Sequence, residues 1–217
     1  MGIRKHLASF AALVGVVAGA LASDARADRA QELWELCAQC HGPAGGGNPM
    51  ALAPAIAGLP EWYVATQLRD FKGGLRGLHP EDTGGLRMYP MSQWLRQEAD
   101  VQTGAAYVAS LPAADPAPVL AGGDPARGAT LYATCQACHG PDAKGNQAMN
   151  APPLANASDW YLLSSLQKFK SGIRGGDPRN ANAVLMRSFS NMLPDEQAMK
   201  DVIAYIESLA GRAAAAQ

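Results

Sequence analysis

Two hexapeptides carry the residues most able to do chemistry, Cys37-Ala38-Gln39-Cys40-His41-Gly42 and Cys135-Gln136-Ala137-Cys138-His139-Gly140. Two thiols three positions apart, followed at once by an imidazole, make the spacing that attaches a c-type haem. The thiols add across the two vinyl groups as thioethers, and the adjacent histidine reaches the iron from one side. A redox disulfide would want a βαβ setting. Both motifs instead end a helical stretch and run into Gly/Pro-rich loop. A zinc site would need further ligands at CxxC or HxxxH spacing. The two motifs use all four cysteines of the chain, and the remaining histidines are His6 and His79. Two covalently attached haem c groups are expected, bound through Cys37, Cys40, Cys135 and Cys138.

What fills the far side of each iron decides between electron transfer and substrate chemistry. Met88 and Met186 stand at one register, 47 residues beyond His41 and His139 and 19 before Tyr107 and Tyr205. Both read as loop residues, and their coincidence in two places makes them the expected ligands opposite His41 and His139. Met91, which aligns with Phe189, is the rival in the first half. His79 aligns with Asp177, and each precedes a proline, the pattern of a solvated turn. A thioether ligand favours ferrous iron and raises the potential relative to a second imidazole. Pro54 and Pro152 follow their histidines by 13 residues. A backbone carbonyl there can accept the other imidazole N–H and fix the ring. A plain turn proline is the competing reading.

One unit is written twice. The shift from Cys37 to Cys135, 98 residues, also lays Gly47-Asn48 on Gly145-Asn146, Trp62-Tyr63 on Trp160-Tyr161, Phe71-Lys72 on Phe169-Lys170 and Tyr107 on Tyr205. Two domains are therefore expected, 28–112 and 125–210. The linker 113–124 carries Pro116, Pro118, Gly122 and Gly123, and 211–217 forms a fraying tail. Each unit reads as helical. An opening helix delivers CxxCH, a middle helix follows, and a closing helix runs over Glu98 to Leu111 or Asp195 to Leu209. Val64, Leu68, Phe71 and Leu75, matched by Leu162, Leu166, Phe169 and Ile173, mark the apolar face of the middle helix. Units of about 85 residues are small for a side-chain core alone. A buried macrocycle supplies the missing apolar faces, with Trp34 on Tyr107 and Tyr132 on Tyr205 packed nearby.

The start of the chain belongs to neither unit. Arg4 and Lys5, the apolar run Leu7 to Leu21 and the Ala25-Arg26-Ala27 site make a cleavable export signal over 1–27. Export places the protein in the periplasm, and no later run is long enough to span a membrane. The full chain has a formal charge of −1. That balance gives no sign of nucleic-acid binding.

Together these residues resemble the class I cytochromes c, and the duplication resembles the dihaem cytochrome c4 family. The paired CxxCHG motifs, the Ala-Pro segments, Met88 with Met186, and Ala106-Tyr107 with Ala204-Tyr205 carry the resemblance over nearly all of the expected mature chain. It implies an all-α fold of two tandem class I cytochrome c domains, each wrapping one haem c, with Pro54 and Pro152 contacting the proximal histidines. It implies a periplasmic electron carrier rather than an enzyme, with redox proteins as donor and acceptor, the acceptor commonly a terminal oxidase. An electron-accepting subunit of a periplasmic dehydrogenase shares the same haem chemistry, whereas a dihaem peroxidase would need an open iron. The chain departs from the family where a Ser/Thr-Asp-Glu cap often opens the closing helix. It has Leu193-Pro194-Asp195-Glu196 and Leu95-Arg96-Gln97-Glu98 instead. Arg69, Lys72, Arg76, Lys168, Lys170 and Arg174 flank the middle helices as candidate partners for haem propionates.

Overall fold

The computed structural model describes residues 26–212. Residues 1–25 of the expected export signal and 213–217 of the expected tail lie outside the described residues. The described chain is helical and has no strand. Its only extended pairings are two isolated bridges, Asn48 with Ala53 and Asn146 with Ala151.

The first unit holds α1 over 26–41, α2 (Glu61–Lys72), α3 (Thr83–Gln93) and α4 (Glu98–Ser110). The second holds α5 (Pro125–Tyr132), α6 (Gln136–His139), α7 (Asp159–Ser171), α8 (Ala181–Ser190) and α9 (Glu196–Leu209). Asp124 starts α5 by accepting from the Ala126 N–H at 2.9 Å, with Pro125 at the first helical position. The core of the second unit forms where α5 crosses α9, burying Ala198, Met199, Val202, Ile203 and Ile206. The crossing is so close that a Cβ on Gly128 would sit 2.0 Å from the Asp201 carbonyl oxygen, so no larger residue fits. In the first unit Leu33, Ala65, Leu95, Val101 and Ala105 close the equivalent core, with Val64 and Leu68 against it.

Three expectations need correction. The stretches bearing Met88 and Met186 are helices, α3 and α8, not loops. Gly84, Gly85 and Pro90 depress helix propensity in α3, yet Asp82 and Asn180 cap the two helices at Gly85 N and Ala183 N. Leu75 and Ile173 lie past the ends of the middle helices, because Gly73 ends α2 and Gly172, left-handed at φ 83°, ends α7. Arg212, assigned to the fraying tail, is held: its guanidinium bonds the buried Glu207 and reaches Asp115 at 3.2 Å.

The closing helices are capped by carboxylates. Asp195 accepts from the Ala198 N–H at 2.8 Å, and the Gln97 N–H donates to the nearly buried Asp100 at 3.3 Å. The connector between the units is strapped down. Ala114 bonds Ala57 on one side and Asn156 on the other, and Asp159 accepts from the Val119 and Leu120 amides at 2.6 Å each. Among the described residues no helix is long and apolar enough to cross a membrane.

Candidate haem centres

Each CxxCH motif ends the opening helical stretch of its unit, followed by a glycine at positive φ, Gly42 (80°) or Gly140 (81°), that turns the chain away. The loop then folds back. Gly47 N–H donates to the His41 carbonyl at 2.9 Å and Gly145 N–H to that of His139 at 2.8 Å. Both glycines have positive φ, and a Cβ would come within 2.6 Å of Ala55 N or of the Ala151 carbonyl oxygen. This close approach brings the Ala-Pro segment beside the histidine. Asn48 and Asn146 hold the turn by accepting from Met50 N and Ala148 N at 3.0 Å.

The result is the same in both units: His41 Nδ1 lies 2.8 Å from the Pro54 carbonyl oxygen, and His139 Nδ1 lies 2.8 Å from that of Pro152. A carbonyl can only accept, so Nδ1 carries the proton and Nε2 keeps a lone pair. Both rings are buried. Burial lowers their pKa and outweighs the opposing pull of the proline carbonyls, so each is a neutral imidazole ready to bind a metal. The thiols do not suit disulfide exchange. Burial pushes Cys37 up to about 11 and also raises Cys135, the reverse of a reactive CxxC.

A cavity of about 340 Å³ opens beside Cys37, Cys40 and His41, and Met88 and Met91 both line it. A second, of about 160 Å³, is lined by Cys135 and His139, with Met186 as its methionine. His79 is exposed and lines neither, its Nδ1 accepting from Glu81 N at 3.2 Å. The aromatic brackets are present, with Trp34 and Tyr107 centroids 5.5 Å apart and Tyr132 and Tyr205 5.4 Å apart. The Trp34 and Tyr132 polar ends bond the Pro43 and Gly140 carbonyls.

The basic residues divide. Arg69 pairs with Glu98 at 2.5 Å and Lys170 with the Leu193 carbonyl. Arg76 and Lys168 line the first cavity and Arg174 the second. The Arg76 Nη atoms reach Gln67 Oε1 and the Tyr161 hydroxyl, each at 2.7 Å. Its Nε is shut off from solvent with no partner among the described residues. An unpaired cationic N–H on an apolar cavity wall beside thiols, imidazole and thioether fits an amphiphilic macrocycle with carboxylate tails. The cofactor therefore suits the residues present.

The polar floor between the cavities was not foreseen from sequence. Tyr63, Gln67 and Tyr161 line both cavities, and Gln67 Oε1 accepts from Arg76 and, at 2.8 Å, from Arg174. Burial works against ionisation of Tyr161, but the guanidinium groups of Arg76 and Arg174 outweigh it and hold the phenol below its ordinary range. The repeated Trp-Tyr dipeptide was the available signal.

Comparison with known proteins agrees with this geometry. The Cytochrome c family model matches residues 27–112 and again 125–210. Cytochrome c4 of Azotobacter vinelandii is 37% identical over 183 residues, covering 80% of this chain and 84% of the relative. The thiosulfate dehydrogenase electron acceptor of Thiomonas intermedia is 38% identical over 152 residues, covering 65% of this chain and 66% of the relative. Among solved structures, the as-isolated thiosulfate dehydrogenase of Marichromatium purpuratum superposes with a TM-score of 0.68 at 32% identity. That match covers 82% of this chain but only 39% of the other. With two such units, paired CxxCH motifs and cavities to match, the chain belongs to the dihaem cytochrome c4 family and binds two haem c groups covalently.

Proposed function

We propose that this protein is an exported, periplasmic electron carrier. Cys37, Cys40, Cys135 and Cys138 would tether the cofactors, and His41 with Met88, and His139 with Met186, would hold the two irons. When bound, each haem would supply one-electron redox chemistry. The carrying observation is the repeated 2.8 Å contact of each histidine Nδ1 with a proline carbonyl. It holds the tautomer and orients Nε2, so the ring stays in place in both oxidation states. The thioethers of Met88 and Met186 raise the potential, and the apolar walls exclude water. The same histidine, proline and methionine recur in both units. That symmetry favours two closed electron-transfer sites over the one open site an enzyme would need.

A dehydrogenase donor is favoured over an unspecified one, because one relative is named for accepting electrons from thiosulfate dehydrogenase. On this reading electrons leave to a terminal oxidase or reductase.

The test is spectroscopic. The ferric holoprotein should show the methionine-to-iron charge-transfer band, and Met88→Ala and Met186→Ala should each remove about half of it. Met91→Ala should leave it intact. Retention of the full band in Met88→Ala, or ready carbon monoxide binding by the reduced parent protein, would overturn the ligand assignment.

A further inference from the structure

The contacts between the units come in pairs that exchange under the 98-residue shift. Asp82, the N-cap of α3, uses Oδ1 twice: it accepts from Gly85 N–H at 3.0 Å and from Lys168 Nζ of the second unit at 2.7 Å. Adding 98 to Asp82 gives Asn180, the N-cap of α8, and subtracting 98 from Lys168 gives Asp70. These two also meet. Asn180 Oδ1 accepts from Ala183 N–H at 3.1 Å, and its Nδ2 donates to Asp70 Oδ2 of the first unit at 2.9 Å. At each site one capping side chain thus closes its own helix and reaches across to the other unit's middle helix.

The chemistry at the two positions is matched but not copied. A carboxylate cap faces an ammonium at one, and an amide cap faces a carboxylate at the other. Met88 and Met186 each lie six residues beyond their cap, less than two turns along the same helix. The reaching partners also enter the opposite cavity wall: Lys168 of the second unit lines the first cavity, and Asp70 of the first unit lines the second. Side-chain exposure at the first clasp is 3% for Asp82 and 23% for Lys168, so water weakens that contact little.

We propose that each haem's methionine-bearing helix and reduction potential are set from the opposite unit, by Lys168 for the first haem and Asp70 for the second. The two act with opposite sign. Lys168 brings positive charge to the first site and favours its reduced state, whereas Asp70 brings negative charge to the second and favours the oxidised state. They are positioning residues, and their assignment rests on Met88 and Met186 being the axial ligands.

The experiment is a spectroelectrochemical titration of the full-length dihaem protein, with each wave assigned by the shift that Met88→Ala or Met186→Ala produces. Lys168→Gln should lower only the wave assigned to the first haem, and Asp70→Asn should raise only that of the second. The expected size is up to about tenfold in the reduced-to-oxidised ratio at fixed potential, or about 59 mV for one electron. Movement of the wave belonging to the mutated residue's own unit, or of neither wave, overturns the proposal. Amide exchange separates this outcome from failure of the ligand reading. If Met88→Ala leaves the ferric spectrum unchanged, the ligand assignment fails, and the clasp is judged at Gly85 and Leu86. Exchange there at least tenfold faster in Lys168→Gln supports the clasp, and unchanged protection overturns it.

Discussion

Replacing Asn180 by aspartate changes little in volume but turns a donor into a second carboxylate. Asn180 Nδ2 lies 2.9 Å from Asp70 Oδ2. At an effective dielectric of about 20, two unit charges that close repel by about 6 kcal/mol. The variant need not bear that much, because one carboxyl can take up a proton. From a reference pKa near 3.9, holding an aspartate protonated at pH 7 costs about 4 kcal/mol, which caps the penalty. Arg174 and Arg76 lower the cost of charge on Asp70, so the expected loss at neutral pH is about 2 to 4 kcal/mol. For a chain of this size each kcal/mol moves the melting temperature by about 2 to 4 °C, giving a fall of roughly 4 to 16 °C.

The sign of the pH dependence is the sharper check. The folded-state pKa of the new carboxyl lies above its unfolded value, so the variant is least impaired below the unfolded pKa and loses stability as pH rises through the folded one. Near pH 4 the protonated acid can donate to Asp70 in place of the amide. Asp70 already titrates high, chiefly through burial, so the pair shares its last proton over a broad range. Thermal unfolding of Asn180→Asp followed by circular dichroism at pH 4.5 and pH 7 should show a deficit that grows with pH. The double variant Asn180→Asp with Asp70→Lys rebuilds the Asp82–Lys168 type of pair and should recover most of it. A pH-independent deficit, a parent-like melting temperature at pH 7, or no recovery in the double variant would refute the reasoning.

Other consequences are simpler. Gly145→Ala forces a left-handed residue into space filled by the Ala151 carbonyl and Pro152; it should cost about 1 to 3 kcal/mol and lower the haem-to-protein ratio of the purified holoprotein. Ile203→Ala empties the core where α5 crosses α9 at a residue 1% exposed, and should cost about 2 to 5 kcal/mol in denaturant titration. Tyr132→Phe removes the hydroxyl bond to the Gly140 carbonyl, 2.8 Å long, and should cost about 1 kcal/mol with little change in the electronic spectrum.

Much of the site was legible in the chain because its chemistry is local. CxxCH fixes two thiols and an imidazole within one turn of helix, and the 13-residue interval to proline spans one tight loop closed by Gly47 or Gly145. The duplication extended that reading to the shared register of Met88 and Met186, which line the two cavities, and to the tilted Trp34–Tyr107 and Tyr132–Tyr205 pairs. The missed elements were α3 and α8. Of these, α8 carries a period like that of the middle helices and was legible, whereas in α3 the apolar period is weak, and Gly84, Gly85 and Pro90 speak against helix locally. What overrides them is tertiary: each cap is held by a side chain more than 80 residues away in sequence. No single-strand pattern reports such a partner. Arg76 and Arg174 were noted as basic residues near the middle helices, but their convergence on Gln67 and the tyrosines depends on how the units face one another.

The two cap positions also bear on why the halves pair within one chain. Two copies of the first unit, joined by the same exchange of contacts, would set Asp82 against Asp70 at both clasps, carboxylate on carboxylate. Two copies of the second would set Asn180 against Lys168 twice, leaving each ammonium with a neutral amide oxygen in place of a carboxylate. The mixed pairing alone gives an ion pair at one clasp and an amide–carboxylate bond at the other. Repulsion weighs against pairing of first units, and the loss of an ion pair weighs against pairing of second units, so both terms favour the mixed pairing. The residues that hold the cofactors could stay alike after duplication because each unit needs the same chemistry. Those at the clasps differ between the units, and that difference gives the mixed pairing its ion pair and its amide–carboxylate bond.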